Sequence, residues 1–289
     1  MNNKKVGLAS ANHKKMKNRL FVVNKPIFLS SNGYMGHIKR KYNTKKVGFS
    51  GTLDPFATGC LIVATGQYPK LFQYLKKAPK AYTATLWLGA NSQSLDIENV
   101  DSIKEVAEFT INDIYQALES LRGELTYYPP KFSAKKVNGK RAYELARAGE
   151  DVKLKKITST IYDIHLIRYN HPFIHFEAMV SEGTYIRSLG AMIADKLGVD
   201  ATLSSLRRDY EGKFSFENEK ALNPLYYLKI PQNIYRGDDE YMELGKKLSI
   251  DYFKTQKDGE YWVETKNFFS IIEIKEGIVK YKLNRIERF

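Results

Sequence analysis

The chain has 289 residues, 43% of them hydrophobic, which suffices for one large domain or for one domain with a small companion. Its net charge of +14 favours a polyanionic partner such as a nucleic acid, and a mean hydropathy of −0.44 argues against a membrane span. A single Cys excludes internal disulfides and multi-cysteine metal sites, and it fits a reducing compartment, so we expect a cytoplasmic location.

Residues 1–19 are basic and polar and lack an apolar segment, so we do not expect a secretory signal here. They fit either a flexible phosphate-binding arm or an extension upstream of a functional start at Met16. A buried strand is predicted at Leu20–Val23. A basic helix is predicted near 33–42, capped within Ser30–Asn32.

The next loop carries Asp54, the only acidic residue among the first 95 positions, which hold 16 Lys and Arg. Gly51 and Gly59 allow the backbone to approach a ligand closely, and Pro55 restricts Asp54 to extended conformations. A carboxylate in so basic a segment fits a nucleophile or an electrostatic stabiliser on a polyanion-binding surface. The plain alternative is a structural Asp-Pro turn.

Hydrophobic periodicity predicts the elements that follow this loop. In chain order they are a strand at 60–64, a helix at about 68–76, a strand at 81–88, two strands within 155–180 broken at residues 170–172, and a helix at 186–197 ended by Gly198. Residues 90–119 hold seven acidic residues and one Lys, so this part is expected to face away from a polyanion.

The charge reverses at residues 129–149, where six Lys and Arg outnumber one Glu and aromatic side chains are interleaved. Pro129-Pro130 and Gly149 bracket this stretch, which indicates an insertion that closes over a ligand. Beyond about residue 235 the pattern is strand–turn–strand, with strands predicted at 252–257, 260–265, 268–275 and 278–283. This tail is too small to be comfortably stable alone, so it should dock on the main domain.

The loop sequence Gly51-Thr52-Leu53-Asp54-Pro55-x-Ala57-Thr58-Gly59-x-Leu61 resembles the active-site motif of the TruB family of RNA pseudouridine synthases. Segments in the same order extend the resemblance over about residues 20–210; they are Lys25-Pro26, Lys80-Ala81-Tyr82, Tyr127–Ala134 with 136–149, Gly183–Arg187 and Leu206–Arg208.

The resemblance implies an α+β fold with a mixed, mostly antiparallel central sheet and flanking helices. Its domains would be a basic extension at 1–19, a catalytic domain at 20–235 with an RNA-clamping insertion at about 127–152, and a weakly PUA-like β module at 236–289.

The implied activity is isomerisation of the T-loop uridine at position 55 of tRNA to pseudouridine. The bond between uracil N1 and ribose C1′ breaks, the base rotates while bound, and C5 joins C1′. No atom is gained, so we expect no cofactor and no metal, and the site must exclude water. The expected partner is the tRNA T-arm loop, bound by a monomer.

The resemblance also assigns roles to residues. Asp54 is the catalytic aspartate, which either attacks C1′ or removes the C2′ proton. Arg187 pairs with that carboxylate, and Tyr185 lies near C5 as the base. Because these two are two positions apart, an extended backbone would project both to one side. Tyr82 would stack under the uracil and Leu206 would pack against it.

Further substrate-binding residues are expected around this centre. Lys25 supports the wall of the site or contacts RNA, and the loop contributes Gly51. Phe49 stands where the family usually has a His thought to help admit the flipped nucleotide; Phe can stack but cannot hydrogen-bond. The insertion would clamp the RNA through Lys135, Lys136, Lys140 and Arg141.

Two alternatives stay open at this point. A guide-RNA-dependent relative such as dyskerin shares the Asp54 loop, but the sizeable insertion and minimal tail favour a stand-alone enzyme. An RNA-binding or RNA-folding protein without turnover would keep the scaffold, but joint retention of Asp54, Tyr82, Tyr185 and Arg187 favours catalysis.

Overall fold

The computed structural model describes residues 18–133, 135–137, 139–150, 152 and 154–289, so most of the predicted N-terminal extension lies outside it. The strands are β1 Arg19–Lys25, β2 Val47–Ser50, β3 Thr58–Thr65, β4 Lys80–Leu88, β5 Ala90–Ser92, β6 Val100–Ile103, β7 Gly123–Tyr127, β8 Lys136–Val137, β9 Lys140–Arg141, β10 Ile157–Asn170, β11 Phe173–Val180, β12 Ala201–Glu211, β13 Phe214–Ser215, β14 Gly259–Glu264, β15 Phe268–Lys275 and β16 Ile278–Glu287. The α-helices are α1 Ser31–Lys41, α2 Ile111–Glu119, α3 Ala142–Arg147, α4 Ile186–Leu197 and α5 Asp239–Glu243. Short 3₁₀ helices cover Tyr68–Tyr74, Ile97–Asn99, Pro224–Tyr227 and Ile250–Tyr252.

A mixed sheet forms the centre of the molecule, in the order β1-β3-β12-β4-β11-β10-β7, with β2 paired to β3 and β13 paired to β12. Among these pairings only β12 with β3 is parallel, at Arg207↔Thr58 and Arg208↔Gly59. The predicted fold class, α+β with a mostly antiparallel sheet, is therefore confirmed.

The main core lies on the face of the sheet that helices cover. The predicted helix at 186–197 is confirmed as α4, and Gly198 ends it in the left-handed conformation at φ 70°. Its apolar face buries Ile186, Leu189 and Ile193 against the sheet. A Cβ on Gly190 would stand 3.1 Å from the Leu203 side chain, so this glycine brings helix and sheet close together. The helix start is thereby held firmly beside the sheet.

The C-terminal strands β14, β15 and β16 form a separate three-stranded sheet that packs against the opposite face. Phe269, Ile271 and Ile286 share one buried cluster with residues of β1 and β3 such as Leu20 and Ile62. The predicted docking of the tail is thus observed.

Two predicted elements differ from the structure. The strand expected at 252–257 is absent, and the 3₁₀ helix Ile250–Tyr252 occupies its start. The free edge of β14 meets Gln232 instead, through a bridge to Trp262, and the 252–257 segment makes an isolated antiparallel bridge from Phe253 to Tyr235 in place of a strand. The helix expected at 68–76 is a 3₁₀ helix with a proline in its first turn.

None of the helices in the described part of the chain is long and apolar enough to cross a membrane.

Candidate active site

The loop that carries Asp54 is fastened on its N-terminal side by Ser31, the first residue of α1. The Ser31 hydroxyl donates to the carbonyl of Leu53 and accepts from the amide of Leu53, both at 2.9 Å. Leu53 itself is buried in the main core. The residue before Asp54 is therefore held by two hydrogen bonds and by packing.

Lys25 fastens the other side of Asp54. Its ammonium donates to the carbonyls of Leu29 at 2.6 Å, Pro26 at 2.8 Å and Pro55 at 3.3 Å. The residue is fully buried, and this burial lowers the pKa of its side chain to about 8, with the Asp54 charge opposing the change. Of the two roles expected for Lys25, this placement favours support of the site wall over RNA contact.

Both glycines of the loop are constrained by neighbouring protein groups, and Gly51 also lines the cleft described below. Gly51 has φ 72°, and a Cβ there would stand 2.8 Å from a Glu211 carboxylate oxygen. Gly59 has φ 101°, and its Cβ would stand 2.2 Å from the carbonyl oxygen of Arg208. Both positions therefore require glycine for reasons internal to the fold.

Arg187 forms the electrostatic centre of the site. Its Nε lies 2.9 Å from Asp54 Oδ2, and its side chain is 3% exposed. Nη1 donates to the carbonyl of Ser94 at 2.7 Å and to Asp96 Oδ2 at 3.3 Å, and Nη2 donates to the carbonyl of Phe132 at 2.7 Å. The guanidinium is thus fixed from four directions, and three of them do not depend on Asp54.

Arg187 is helical, in keeping with the predicted helix at 186–197, so the extended-backbone argument for Tyr185 and Arg187 does not apply to it. Tyr185 is the N-cap of α4, with φ −99° and ψ 108°, and Arg187 is the second residue of the helix. A helix start more often leaves an Arg solvated; here the insertion and the Asp96 loop cover it.

Asp96 is a buried residue of the site that the sequence reasoning missed. It lies in the acidic stretch 90–119, which we expected to face away from RNA, yet it is 3% exposed. Its Oδ1 accepts from the Ser94 hydroxyl at 2.7 Å and from the Glu98 amide at 3.0 Å. Its only sequence signal is its place among small polar residues, which does not separate it from its exposed neighbours.

The Asp54 side chain is 34% exposed at the floor of a cleft. Burial among protein groups raises the pKa of its carboxyl above the ordinary value, Arg187 opposes this change, and the negative charge of Asp96 adds to it. The carboxylate is thus more basic than an ordinary surface aspartate while it stays within reach of a ligand.

The cleft has a volume of about 630 Å³ and gathers most of the predicted site residues. Its lining includes Gly51, Asp54, Tyr82, Lys135, Arg141, Glu182, Tyr185, Arg187 and Leu206. Tyr82 and Leu206 are nearly buried and belong to the main core, so each presents only a small part of its side chain to the cleft.

Tyr185 is held at the cleft wall by its backbone, because its amide donates to the Tyr127 hydroxyl at 3.0 Å. Burial raises the pKa of the Tyr185 phenol, a contact with Ser133 opposes this change, and the Asp54 charge adds to it. The phenol is therefore protonated at neutral pH.

The predicted clamp residues divide into three groups. Lys135 and Arg141 line the cleft, whereas Lys140 is exposed and lies 3.9 Å from Glu150. The side chain of Lys136 lies outside the described part of the structure. Phe49 is half-buried on β2 against the main core and is not among the described residues that line the cleft.

A second group of buried charges supports the cleft wall; Lys80 and Arg208 stand in the motif segments, whereas Glu211 was missed from the sequence. Glu211 is fully buried, with its oxygens 3.0 Å from Lys80 Nζ and 2.8 Å from Arg208 Nη2. Arg208 also donates to the carbonyls of Gly51 at 2.7 Å and Cys60 at 2.8 Å. These contacts tie the end of β12 to the start of the Asp54 loop.

Solved structures share this architecture at low sequence identity. A chain of a Cbf5-Nop10-Gar1 complex aligns with a TM-score of 0.64 at 20% identity, covering 95% of this chain and 85% of that one. A chain of an archaeal box H/ACA sRNP Nop10-Cbf5 complex aligns with a TM-score of 0.63 at 18% identity, covering 96% and 88%. These likenesses concern the fold, which is the pseudouridine synthase fold expected from the sequence.

Sequence relatives are much closer. The tRNA pseudouridine synthase B of Sulfurovum sp. (strain NBC37-1) is 74% identical over 272 residues, covering 94% of this chain and 98% of the relative. The protein of the same name from Campylobacter jejuni (serotype O:6, strain 81116) is 49% identical over 271 residues, covering 94% and 99%. A model of the TruB family pseudouridylate synthase N-terminal domain matches residues 39–186. With a family match over half of its length and relatives this similar, the chain belongs to the TruB family of pseudouridylate synthases.

Proposed function

We propose that this chain is a stand-alone enzyme that isomerises the T-loop uridine at position 55 of tRNA to pseudouridine. The observation that carries the proposal is the Asp54–Arg187 pair at the floor of a basic cleft, in a chain 74% identical to a tRNA pseudouridine synthase B. The reaction is an isomerisation, so neither a metal nor a cofactor is required.

Asp54 acts on the ribose of the flipped nucleotide. Its raised pKa makes it a better nucleophile or base than a surface aspartate, and Arg187 keeps it ionised and oriented. Either attack on C1′ or removal of the C2′ proton releases the bond from C1′ to uracil N1. Arg187 is the positioning residue for this step, since Ser94, Asp96 and Phe132 hold it independently of substrate.

The base must turn over without leaving the cleft. Tyr82 and Leu206 offer a flat ring and an aliphatic side chain on the wall, which suit contact with the faces of a uracil. Once C5 is bonded to C1′, C5 loses a proton and N1 gains one. The Tyr185 phenol is protonated, so it accepts the C5 proton only while it gives up its own proton. Tyr185 would therefore act as a proton relay.

The remaining features take supporting roles in this proposal. The catalytic domain is residues 20–235, the insertion at 127–152 clamps RNA through Lys135, Lys136, Lys140 and Arg141, and residues 236–289 form a weakly PUA-like module. Phe49 packs against the main core outside the described lining of the cleft, so we assign it no stacking contact with the flipped nucleotide. The enzyme acts as a monomer in the cytoplasm.

The test uses purified protein and an unmodified tRNA transcript, without guide RNA, metal or cofactor. Pseudouridine is detected as a carbodiimide adduct that stops primer extension. Wild type should produce a stop at position 55, and Asp54→Asn should produce none while it binds tRNA nearly as well, because Arg187 keeps its other partners.

The matched control is Glu182→Gln, which removes another carboxylate from the same cleft and should keep turnover. Turnover above background in Asp54→Asn would remove Asp54 from the mechanism. Tight tRNA binding by wild type without any stop would favour a guide-dependent enzyme or an RNA-binding role, and adding cellular RNA would separate those two.

A further inference from the structure

A second cleft, of about 900 Å³, lies beside the C-terminal end of α1 and is larger than the Asp54 cleft. Its lining includes Lys39, Arg40, Lys45, Lys46, Gln67 and Glu287. It is thus bounded by α1, by the loop before β2, by the end of β3 and by the last strand of the C-terminal sheet. None of the roles proposed above uses it.

The charge of this cleft is strongly positive and uncompensated. The four Lys and Arg side chains are exposed, and none forms an ion pair with a carboxylate in the part of the chain that the structure describes. The one acidic residue, Glu287, already accepts a hydrogen bond from Asn18 Nδ2 at 2.9 Å. Four cations against one engaged carboxylate make this concave surface suited to a polyanion.

Helix electrostatics explains only part of this cluster. Lys39 and Arg40 lie in the last turn of α1, where cations complement the helix dipole. Lys45 and Lys46 follow the end of the helix, so the dipole does not account for them. Asn18 also lines the cleft, and residues 1–17 before it contain five Lys and no acidic residue in the sequence.

The two clefts lie at opposite ends of one strand. Lys46 directly precedes β2, and Gly51, at the rim of the Asp54 cleft, directly follows it. Four residues of extended strand span about 13 Å. Near the Asp54 cleft, Lys77 Nζ donates to the hydroxyl of Ser50 at 3.0 Å and pairs with Glu182 at 3.1 Å, so this lysine adds no net charge between the clefts.

We propose that the second cleft binds the phosphate backbone of the RNA stretch adjoining the loop whose uridine enters the Asp54 cleft. This inference rests on the proposed function. Backbone contacts from Lys and Arg fix the register of a nucleic acid without reading its sequence, and neighbouring Asn43, Thr44 and Gln67 supply neutral partners for phosphate oxygens. The C-terminal sheet takes part by forming one wall of the cleft through Glu287.

The experiment compares Lys45→Gln/Lys46→Gln with Lys104→Gln/Lys196→Gln. Both pairs remove two exposed positive charges, but the control pair lies beside Asp195 and Asp200, away from both basic clefts. Each protein is titrated with two RNAs over a range of salt concentrations. One RNA is a full-length tRNA transcript, and the other is a hairpin cut back to the T loop and its closing base pairs.

We expect the Lys45/Lys46 variant to bind full-length tRNA more weakly. The slope of log affinity against log salt should fall by about one for each phosphate that the variant no longer binds. Its KM for tRNA should rise while its rate at saturating tRNA is kept. Its affinity for the short hairpin should match wild type, and the control pair should behave as wild type with both RNAs.

Three results would overturn the inference: an unchanged salt slope with full-length tRNA, an equal loss of affinity for both RNAs, or an equal loss of affinity in the control pair. Failure of the proposed function looks different. Wild type would then bind tRNA without forming pseudouridine, and the weaker binding specific to the longer RNA would still be seen in the Lys45/Lys46 variant.

Discussion

Asp54 combines two properties that usually exclude each other, since it is accessible to a ligand and yet more basic than a surface aspartate. Neighbouring protein groups and the charge of Asp96 raise the pKa of its carboxyl, while Arg187 lowers it. In the proposed mechanism the reactive form of Asp54 is the ionised one, so we expect activity to be lost as the pH falls through this raised pKa. The acid limit of turnover therefore lies above the roughly 3.9 of an unperturbed aspartate.

Asp96→Asn tests this electrostatic account. Removing the Asp96 charge lowers the pKa of Asp54, so Asp54 stays ionised to lower pH and the acid limit of kcat/KM should move to lower pH. The new amide oxygen still accepts from Arg187 Nη1, whereas the amide nitrogen takes the place of Oδ1 and loses the hydrogen bond from the Glu98 amide. The measurement is the rate of pseudouridine formation at limiting tRNA between pH 4 and pH 8 at constant ionic strength.

Asp101→Asn is the matched control for this prediction, because it neutralises an exposed carboxylate on the same acidic stretch. It should leave the acid limit in place. An acid limit that stays fixed in Asp96→Asn as well would mean that a group other than Asp54 titrates.

Individual residues of the site differ in how far the sequence predicts them. Asp54, Tyr82, Tyr185 and Arg187 stand in recognisable motifs, and the structure brings all four to one cleft. Asp96 was not predicted, because it differs from the other acidic residues of its segment in burial and not in local sequence. Lys25 was expected at the site from the sequence. Its role in supporting the wall of the cleft is visible only in the structure, where its ammonium donates to three carbonyls.

At the scale of elements, the Asp54 loop is held by strands and helices that are distant in sequence. Ser31 of α1 and Lys25 of β1 hold its two sides, and Arg208 of β12 holds the carbonyl of Gly51. Glu211, the last residue of β12, fills the space that a side chain at Gly51 would need. The loop is therefore rigid before RNA arrives, which favours catalysis by a preorganised carboxylate.

Gly51→Ala should abolish turnover and lower the free energy of unfolding by about 2–4 kcal/mol. The left-handed backbone costs roughly 1–2 kcal/mol for a residue with a Cβ, and the 2.8 Å approach to Glu211 adds to this cost. Urea unfolding and the primer-extension assay provide the two measurements.

Gly277→Ala separates the cost of the left-handed backbone from the cost of the close approach to Glu211. Gly277 has φ 74° in the turn between β15 and β16, and a Cβ there would meet nothing within 4 Å. This control should cost only about 1–2 kcal/mol and keep turnover. Equal costs at the two glycines would mean that the Glu211 contact is harmless.

Helices and strands that bury one face are predictable, because the spacing of their apolar residues indicates which face is covered. The helix at 186–197 is an example, with Gly198 as its stop. The segment 252–257 shows the limit, since its alternation depends on buried Phe253, which forms an isolated bridge to Tyr235 and no regular strand. Which strands pair depends on the whole sheet, and a local sequence pattern does not show it.

At the scale of the whole molecule, the central sheet has a helical face that builds the active site and a second face covered by the C-terminal sheet. Phe269, Ile271 and Ile286 complete the cluster on that second face. The tail is therefore part of the hydrophobic core of the molecule.

Phe269→Ala should lower the free energy of unfolding by about 3–5 kcal/mol, as expected for a fully buried phenylalanine. The chain has two tryptophans, Trp87 in the central sheet and Trp262 in the C-terminal sheet, so each sheet carries its own fluorescent reporter. With Trp87→Phe or Trp262→Phe as background, both reporters should show the same shift in urea midpoint.

Ile278→Ala is the control, because this side chain is 53% exposed on the same sheet and should cost less than about 1 kcal/mol. A midpoint shift confined to the Trp262 reporter would show that the tail unfolds independently and that the shared cluster contributes little to the main domain.

The hydrogen bond from Arg187 to the carbonyl of Phe132 joins the proposed catalytic pair to the insertion that we propose clamps RNA. A displacement of that segment pulls on the same guanidinium that orients Asp54. In the proposed mechanism, an RNA that binds without seating the insertion would leave the carboxylate misaligned. We therefore expect discrimination between cognate and near-cognate RNAs to fall on the rate of turnover more than on affinity.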